Sequence, residues 1–168
     1  MKYIGIDIGD GESAVACLAE DSVIEPVIQP IDGHGSILSV VGMAGTEVRI
    51  GEKALLDRKV VHLRSRFKSR YLNTMDAERD IERFAHGLRT ALLEEADDFF
   101  DGDVYIAVGC PAGWKENDRA RYCEIMKRAG LGDVHIVSES RAAFFYARYA
   151  HELKVAPELL DQTTLVID

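Results

Sequence analysis

Residues 3–13 read Tyr3-Ile4-Gly5-Ile6-Asp7-Ile8-Gly9-Asp10-Gly11-Glu12-Ser13, and the apolar run Ala14-Val15-Ala16-Cys17-Leu18 follows directly. Two apolar runs that flank a Gly-Asp-Gly centre are typical of a tight β-hairpin. Gly9 and Gly11 can take positive φ and lack a Cβ, so a ligand can approach their backbone N–H groups closely. Such N–H groups suit an anion, and the Asp7 carboxylate suits a hydrated cation that accompanies phosphates. An ordinary Asp/Gly hairpin at the start of a domain is the alternative interpretation.

The composition is that of a globular chain. Its 168 residues are 47% hydrophobic and 29% charged, which is enough to bury a core. The formal net charge of -9 argues against non-specific binding to nucleic acid. No apolar run approaches the roughly 20 residues that span a bilayer, and the N-terminus enters a strand without a charged-then-apolar leader, so we expect no signal peptide. We therefore expect neither a nucleic-acid partner nor a membrane partner.

The three cysteines, Cys17, Cys110 and Cys123, are odd in number and show no C-x-x-C spacing. This pattern predicts free, mostly buried thiols in a reducing cytoplasm. The five histidines are scattered without the spacing of metal ligands, which argues against a zinc site.

The first hundred residues predict an inserted unit after the opening hairpin. We expect a third strand at 23–28, a second hairpin from strands at 37–41 and 46–50, and a short helix at 51–56. Residues 58–70 then carry six basic side chains and no acidic one. In so acidic a chain this segment is suited to phosphates or an acidic partner, although a solvated face explains most charge runs.

The rest of the chain alternates helices and strands. Thr74 is the expected N-cap of a long helix whose apolar face is formed by Ile81, Phe84, Ala85, Leu88, Ala91 and Leu92. Strands are predicted at 104–109 and 134–137, with a helix between them at 116–129 that Gly130 closes. A helix at 139–153 is apolar nearly all round and is expected to be buried between other elements. A final strand pattern at 165–168 ends in Asp168.

An antiparallel meander followed by βαβα is the ribonuclease-H-like unit of the actin-like ATPase superfamily. This order predicts an α/β fold with a mixed five-stranded sheet and an inserted smaller lobe. Residues 1–31 and 101–162 would form the core, and residues 32–100 the lobe. Residues 163–168 would begin a second unit that is missing here, so we expect the chain to be truncated.

Four segments resemble motifs of the seventy-kilodalton heat-shock (DnaK-like) chaperones. Residues 4–9, IGIDIG, look like the first phosphate loop of that family, and residues 165–168, LVID, look like the opening of the second. Residues 104–112 resemble a strand that ends in a valine-proline-alanine step. The spacing of Pro111 and Arg119 is similar to the family's allosteric proline–arginine relay. Residues 138–143, SESRAA, resemble its connecting motif.

The resemblance implies that a full-length parent binds ATP with Mg²⁺ and has a nucleotide, a client polypeptide or a co-chaperone as partners. Asp7 and Asp168 would hold Mg²⁺ through water, and Asp7 or Glu139 would orient the attacking water. Lys68 would reach the γ-phosphate, with Arg70 as the next candidate. The implied catalytic residues are thus Asp7, Lys68, Glu139 and Asp168, and the cofactor-binding residues are Gly9, Asp10, Gly11 and Glu12.

Two departures from the family pattern bear on hydrolysis. Asp10 and Gly11 replace two threonines, which places a carboxylate close to the expected phosphates. Ser140 and Arg141 replace a proline and a threonine. These changes predict slow turnover in the parent. The fragment itself is expected to bind ATP weakly or not at all and to be inactive, because it ends before the glycines of the second phosphate loop and before an adenosine pocket. An actin-like filament protein, a small-molecule kinase of the same superfamily and a non-hydrolysing scaffold are the alternatives.

Overall fold

The computed structural model describes residues 1–19, 26–71 and 74–149. The strands in these ranges are β1 Lys2–Ile8, β2 Glu12–Ala19, β3 Val27–Ile28, β4 Ile37–Leu38, β5 Val40–Ala44, β6 Glu47–Ile50, β7 Val61–Ser65, β8 Val104–Cys110 and β9 Val134–Ser138. The helices are α1 Gly51–Leu56, α2 Phe67–Arg70, α3 Met75–Glu95, α4 Glu116–Met126 and α5 Glu139–Tyr149, and a π-helical turn, Lys127–Leu131, follows α4.

The main sheet is mixed and has six strands among the described residues. Its order is β3-β2-β1-β8-β9, and β4 pairs with β2 outside this path. Strands β1 and β2 form the predicted antiparallel hairpin, whereas β8 lies parallel to both β1 and β9. The α/β class and the mixed sheet are confirmed. The expected count of five strands is wrong, because β4 adds a sixth.

The second predicted hairpin differs from expectation because the chain changes sheets at Ser39. Ile37 pairs with Ser13 in the main sheet, and the true hairpin joins β5 to β6 through a turn with Gly45 at φ 66°. The Ser39 amide donates to the Gly11 carbonyl at 2.8 Å, and the buried Ser39 and Ser13 hydroxyls lie 2.7 Å apart. These bonds hold the crossing point against the first hairpin.

A second sheet, in the order β6-β5-β7, lies within the range predicted as the inserted lobe. The boundaries of that lobe stay a prediction. Strand β7 falls in the basic run and was not expected, although Val61-His62-Leu63-Arg64 alternates apolar and polar residues; all five residues of the strand are exposed. Helix α2 was also missed, because it has only four residues.

Helix α3 confirms the predicted cap and apolar face. The Thr74 hydroxyl accepts a hydrogen bond from the Ala77 amide, and the six residues of the predicted face are all buried. A Cβ added to Gly87 would lie 2.5 Å from Ile50 Cγ2, so α3 approaches β6 closely. At the end of α4, Gly130 adopts φ 90° and closes the helical segment near the predicted place.

One face of the main sheet supplies the core, where Ile4, Ile6 and Ile8 of β1 join the buried residues of α3 and α4. The other face carries small residues, and α5 packs over β8 and β9 on that side. The prediction that this last helix is buried all round is wrong within the described residues. Ala142 and Ala143 are exposed, and Tyr146 is 57% exposed, because all three line an open cleft between α5 and the main sheet.

All three cysteines are free, as predicted, but only Cys110 is fully buried, whereas Cys17 and Cys123 are half-buried. Among the described residues, no helix has the length and apolar character needed to cross a membrane.

Candidate functional site

The candidate site lies where parallel strands of the main sheet end. Asp7 lies next to the end of β1, Gly109 lies next to the end of β8, and Glu139 directly follows β9. Parallel pairing of β1 with β8 and of β8 with β9 brings these three strand ends to one edge. Ligands bind outside the carboxyl ends of strands in open α/β sheets, so this edge is the expected position of a site.

Lys68 of α2 completes the cluster. Its side chain is only 5% exposed, and its Nζ donates a short hydrogen bond to Glu139 Oε1 and lies 3.7 Å from Asp7 Oδ1. The Glu139 side chain is 35% exposed and that of Asp7 is 67% exposed. An ammonium group that is almost buried therefore sits between two carboxylates that reach water.

Gly109 forms the floor beneath the two carboxylates. A Cβ at this position would lie 3.1 Å from Glu139 Cγ and 3.5 Å from Asp7 Oδ1. A larger residue would therefore push directly against Glu139 and crowd Asp7. Gly109 was not among the predicted site residues, although a glycine at the end of a buried strand is a recognisable signal of close approach.

Two buried groups lie beneath the cluster. Burial raises the pKa of the Tyr122 phenol well above its usual value, and the nearby Glu139 and Asp7 carboxylates raise it further. Burial also raises the pKa of the Cys110 thiol, while the Arg119 and Lys68 cations lower it and Glu139 raises it. Both groups therefore stay protonated at neutral pH, and neither is suited to act as a base or a nucleophile.

The hairpin tip is less open to a ligand than the sequence suggested. The Gly9 amide donates to the Glu12 carbonyl at 3.1 Å, and the Gly11 carbonyl accepts from Ser39. Neither glycine has a positive φ. A Cβ at Gly9 would lie 2.5 Å from the Glu12 oxygen, so glycine is required there for the turn itself. The Gly9 amide is thus already used within the hairpin.

Asp10 and Glu12 turn in different directions from the tip. Asp10 Oδ1 accepts a hydrogen bond from the Ser69 amide of α2 at 3.0 Å. Glu12 Oε2 accepts one from the Ser36 hydroxyl at 2.7 Å and lines a separate cleft of about 870 Å³. Asp10 therefore contacts the helix that carries Lys68, whereas the Glu12 side chain faces the separate cleft.

The remaining predicted residues are not part of the cluster. Arg70 is exposed and lies close enough to Asp80 to influence its pKa. Pro111 accepts a hydrogen bond from the Trp114 amide, and Arg119 is half-buried with an Nε that has no partner among the described residues. Their role as a relay stays a prediction. Asp168 lies outside the described residues.

Asp7 and Glu139 also border a cleft of about 510 Å³ on the small-residue face of the main sheet. Its walls are formed by β1, β2, β8 and the first turns of α5, with Gly5, Ala16 and Ala107 on its floor. No group of three or more His, Cys, Asp or Glu side chains in the described ranges is placed to hold a metal ion.

Comparison with known proteins gives a weak similarity to a chaperone. No protein-family model matches the chain. The chaperone protein DnaK of Thermosipho melanesiensis is 26% identical over 149 aligned residues, which cover 83% of this chain and 25% of that protein. The chain thus spans about a quarter of the length of the curated relative it matches. This similarity suggests, at most, a relation to the seventy-kilodalton heat-shock chaperones.

Proposed function

We propose that this chain is the first nucleotide-binding unit of a divergent DnaK-like ATPase, and that Asp7, Lys68 and Glu139 form the phosphate side of its site. The observation that carries the proposal is their convergence. Lys68 and Glu139 are 71 residues apart in sequence and hydrogen-bonded in the structure. The same three residues follow from the resemblance alone. The similarity to DnaK over most of the chain supports the same assignment.

The donor set fits Mg-ATP. Carboxylate oxygens and water are the ligands that Mg²⁺ prefers, and Asp7 offers a well-exposed carboxylate next to Lys68. Lysine ammonium groups are common phosphate ligands. The small floor at Gly109 keeps the space over the two carboxylates open. Bound Mg-ATP would supply the transferable phosphoryl group and the charge that neutralises it.

Lys68, Glu139 and Asp168 would then have separate roles in the site. Lys68 has three N–H donors, and the contacts with Glu139 and Asp7 leave one for a phosphate oxygen. Because Lys68 is almost enclosed, a phosphate would reach it from the exposed Asp7 side. Glu139, fixed at the first turn of α5 by Lys68, would accept a proton from water or orient it. Asp168 would complete the metal side in the parent protein.

Mg²⁺ binding by Asp7 and Asp168, hydrolysis, and the client or co-chaperone partners belong to the same proposal, and phosphate contacts from residues 9–12 belong to it through the backbone amides that the hairpin does not use. So does a cytoplasmic location, which the three free cysteines support. Slow turnover is expected, because the Asp10 carboxylate remains close to the site. The filament, kinase and scaffold alternatives have no structural observation of their own that favours them.

Calorimetric titration with Mg-ATP tests the proposal on this chain and on the longer polypeptide that carries it. We expect weak binding by the chain, tighter binding by the longer protein, and loss of both in Asp7→Asn and Lys68→Met. Arg70→Met is the matched control, since Arg70 is a neighbouring exposed cation outside the cluster. Equal heats for the wild type, Lys68→Met and Arg70→Met would refute the proposal.

A further inference from the structure

The Asp10 carboxylate connects two segments that are far apart in sequence. It lies at the tip of the β1–β2 hairpin and accepts a hydrogen bond from the Ser69 amide, 59 residues away, at 3.0 Å. Ser69 directly follows Lys68 in helix α2. The side chain that departs most clearly from the resembled phosphate loop therefore contacts the segment that carries the site's cation.

The Ser69 amide needs a partner from outside its own helix. In the first turn of any helix the N–H groups have no carbonyl four residues earlier to receive them. The residue before α2, Arg66, is left-handed at φ 51° and provides no side-chain cap. The Ser69 hydroxyl is occupied by the Arg66 carbonyl at 3.3 Å. Asp10 thus supplies the cap that the local sequence lacks.

Three successive residues of α2 are fixed to three different parts of the molecule. Phe67 is fully buried, with its ring centroid 5.0 Å from that of Phe84. Lys68 is held by Glu139 and Asp7, and Ser69 is held by Asp10. Of these anchors, only Asp10 ties the backbone of α2 to the hairpin tip.

We infer that Asp10 is a positioning residue that holds the backbone of α2 so that the Lys68 ammonium stays between Asp7 and Glu139. The inference rests on the proposed function only in taking Lys68 as the phosphate-facing cation. The carboxylate that the sequence places among phosphates is instead committed to a backbone N–H. The departure from the resembled loop therefore adds a connection between the hairpin and the lysine.

The test measures the chemical reactivity of Lys68 and the hydrogen exchange of the Ser69 amide, both in the absence of nucleotide. Amide hydrogen exchange at Ser69 and acetylation of Lys68 by an N-hydroxysuccinimide ester, followed by mass spectrometry, are compared in the wild type, Asp10→Ala and Asp10→Asn. We expect Asp10→Ala to speed both processes by about three- to tenfold, the range for losing one partly exposed hydrogen bond. Asp10→Asn keeps an acceptor oxygen and restores most of the protection.

Asp101→Ala is the matched control, because Asp101 is exposed and its only described hydrogen bond is the one that its backbone amide donates to the Asp98 carbonyl. It should leave both rates unchanged. Exchange at core amides of β1 and β8 shows whether a variant loosens the whole fold. Should Asp10→Ala leave Ser69 exchange and Lys68 acetylation at wild-type rates, the inference is overturned.

Binding of Mg-ATP is then measured on the same variants. Faster acetylation together with weaker binding supports both the inference and the proposed function. Faster acetylation with no nucleotide binding in any variant, wild type included, supports the positioning role of Asp10 and overturns the proposed function.

Discussion

Replacing Lys68 should cost the fold less than replacing its partner Glu139. The reason is the difference in exposure within the pair: the Lys68 side chain is 5% exposed and that of Glu139 is 35% exposed. Glu139→Ala leaves a nearly buried ammonium with Asp7 alone, 3.7 Å away. Lys68→Met instead replaces a buried aliphatic stem by an apolar side chain of similar length, and both carboxylates can turn to water.

The magnitudes follow from the contacts. A charge-assisted hydrogen bond contributes about 1.5–3 kcal/mol, and the partial exposure of Glu139 reduces this to about 1–2 kcal/mol for Glu139→Ala. We expect Lys68→Met to change the free energy of unfolding by about 0.5 kcal/mol or less, since hydrophobic replacement of a buried charge is often neutral. The double variant Lys68→Met, Glu139→Ala should be little less stable than Lys68→Met alone, because Lys68→Met has already removed the ion pair that Glu139→Ala would break.

Urea unfolding followed by circular dichroism at neutral pH measures all three variants. For a chain of this size, about 1 kcal/mol corresponds to roughly 2–4 °C in Tm, so thermal scans give an independent check. A loss of stability in Lys68→Met that equals or exceeds the loss in Glu139→Ala would refute the reasoning. It would show that leaving the carboxylates without the lysine destabilises the fold at least as much as leaving the lysine without Glu139.

Four further substitutions test the hairpin, the floor of the site and a buried carboxylate of α3. Gly9→Ala should lower the free energy of unfolding in urea by about 1–3 kcal/mol, because the added Cβ would meet a backbone oxygen at 2.5 Å. Gly11→Ala has open space around its Cβ and should lower it by less than about 1 kcal/mol. Equal effects of the two variants would contradict the hairpin geometry. Gly109→Ala should displace Glu139, because the added Cβ would lie 3.1 Å from the Glu139 side chain. Acetylation of Lys68 should become severalfold faster, and the free energy of unfolding should fall by about 1 kcal/mol. An unchanged acetylation rate would show that the strand at Gly109 shifts and Glu139 stays in place. Burial raises the pKa of Asp80 although nearby arginines lower it, so the folded state binds more protons than the unfolded state just above the usual carboxyl pKa, and stability falls as pH rises through that window. Asp80→Asn should therefore become more stable relative to the wild type as the pH rises from the usual carboxyl pKa towards neutrality, and a stability difference that shrinks over this range would contradict the sign of the argument.

The position of the two carboxylates was predictable because it depends on strand order. Asp7 and Glu139 each lie at the end of a strand whose apolar run is visible in the sequence, and parallel neighbours end at the same edge. The burial of Lys68 was not predictable. Its segment is a basic run that normally indicates a solvated face, and its enclosure depends on Phe67 in the core and on carboxylates from distant segments.

The parts of the fold that were missed share a cause. Strand β7 shows only a four-residue alternation, Val61-His62-Leu63-Arg64, inside a basic run, and α2 is too short to show a helical period, so both local signals are weak. The crossing at Ser39 depends on a buried hydroxyl pair and on a hydrogen bond that the Ser39 amide donates to the Gly11 carbonyl, both of them long-range contacts. The bond from Asp10 to Ser69 is of the same kind, since a carboxylate at a hairpin tip does not indicate which amide it will meet.

The gradient of exposure across the cluster sets the order in which a ligand would meet its groups. Asp7 is the outermost group, Glu139 is intermediate and Lys68 is innermost. A bare phosphate that approaches this edge would meet carboxylates before it meets the ammonium, and like charges at close range repel. Within the proposed function, a divalent cation on Asp7 would remove that repulsion and leave Lys68 free to attract a phosphate oxygen. Within the same proposal, the carboxylates already balance the charge of Lys68, so binding of an anion would become favourable only when a metal ion binds with it.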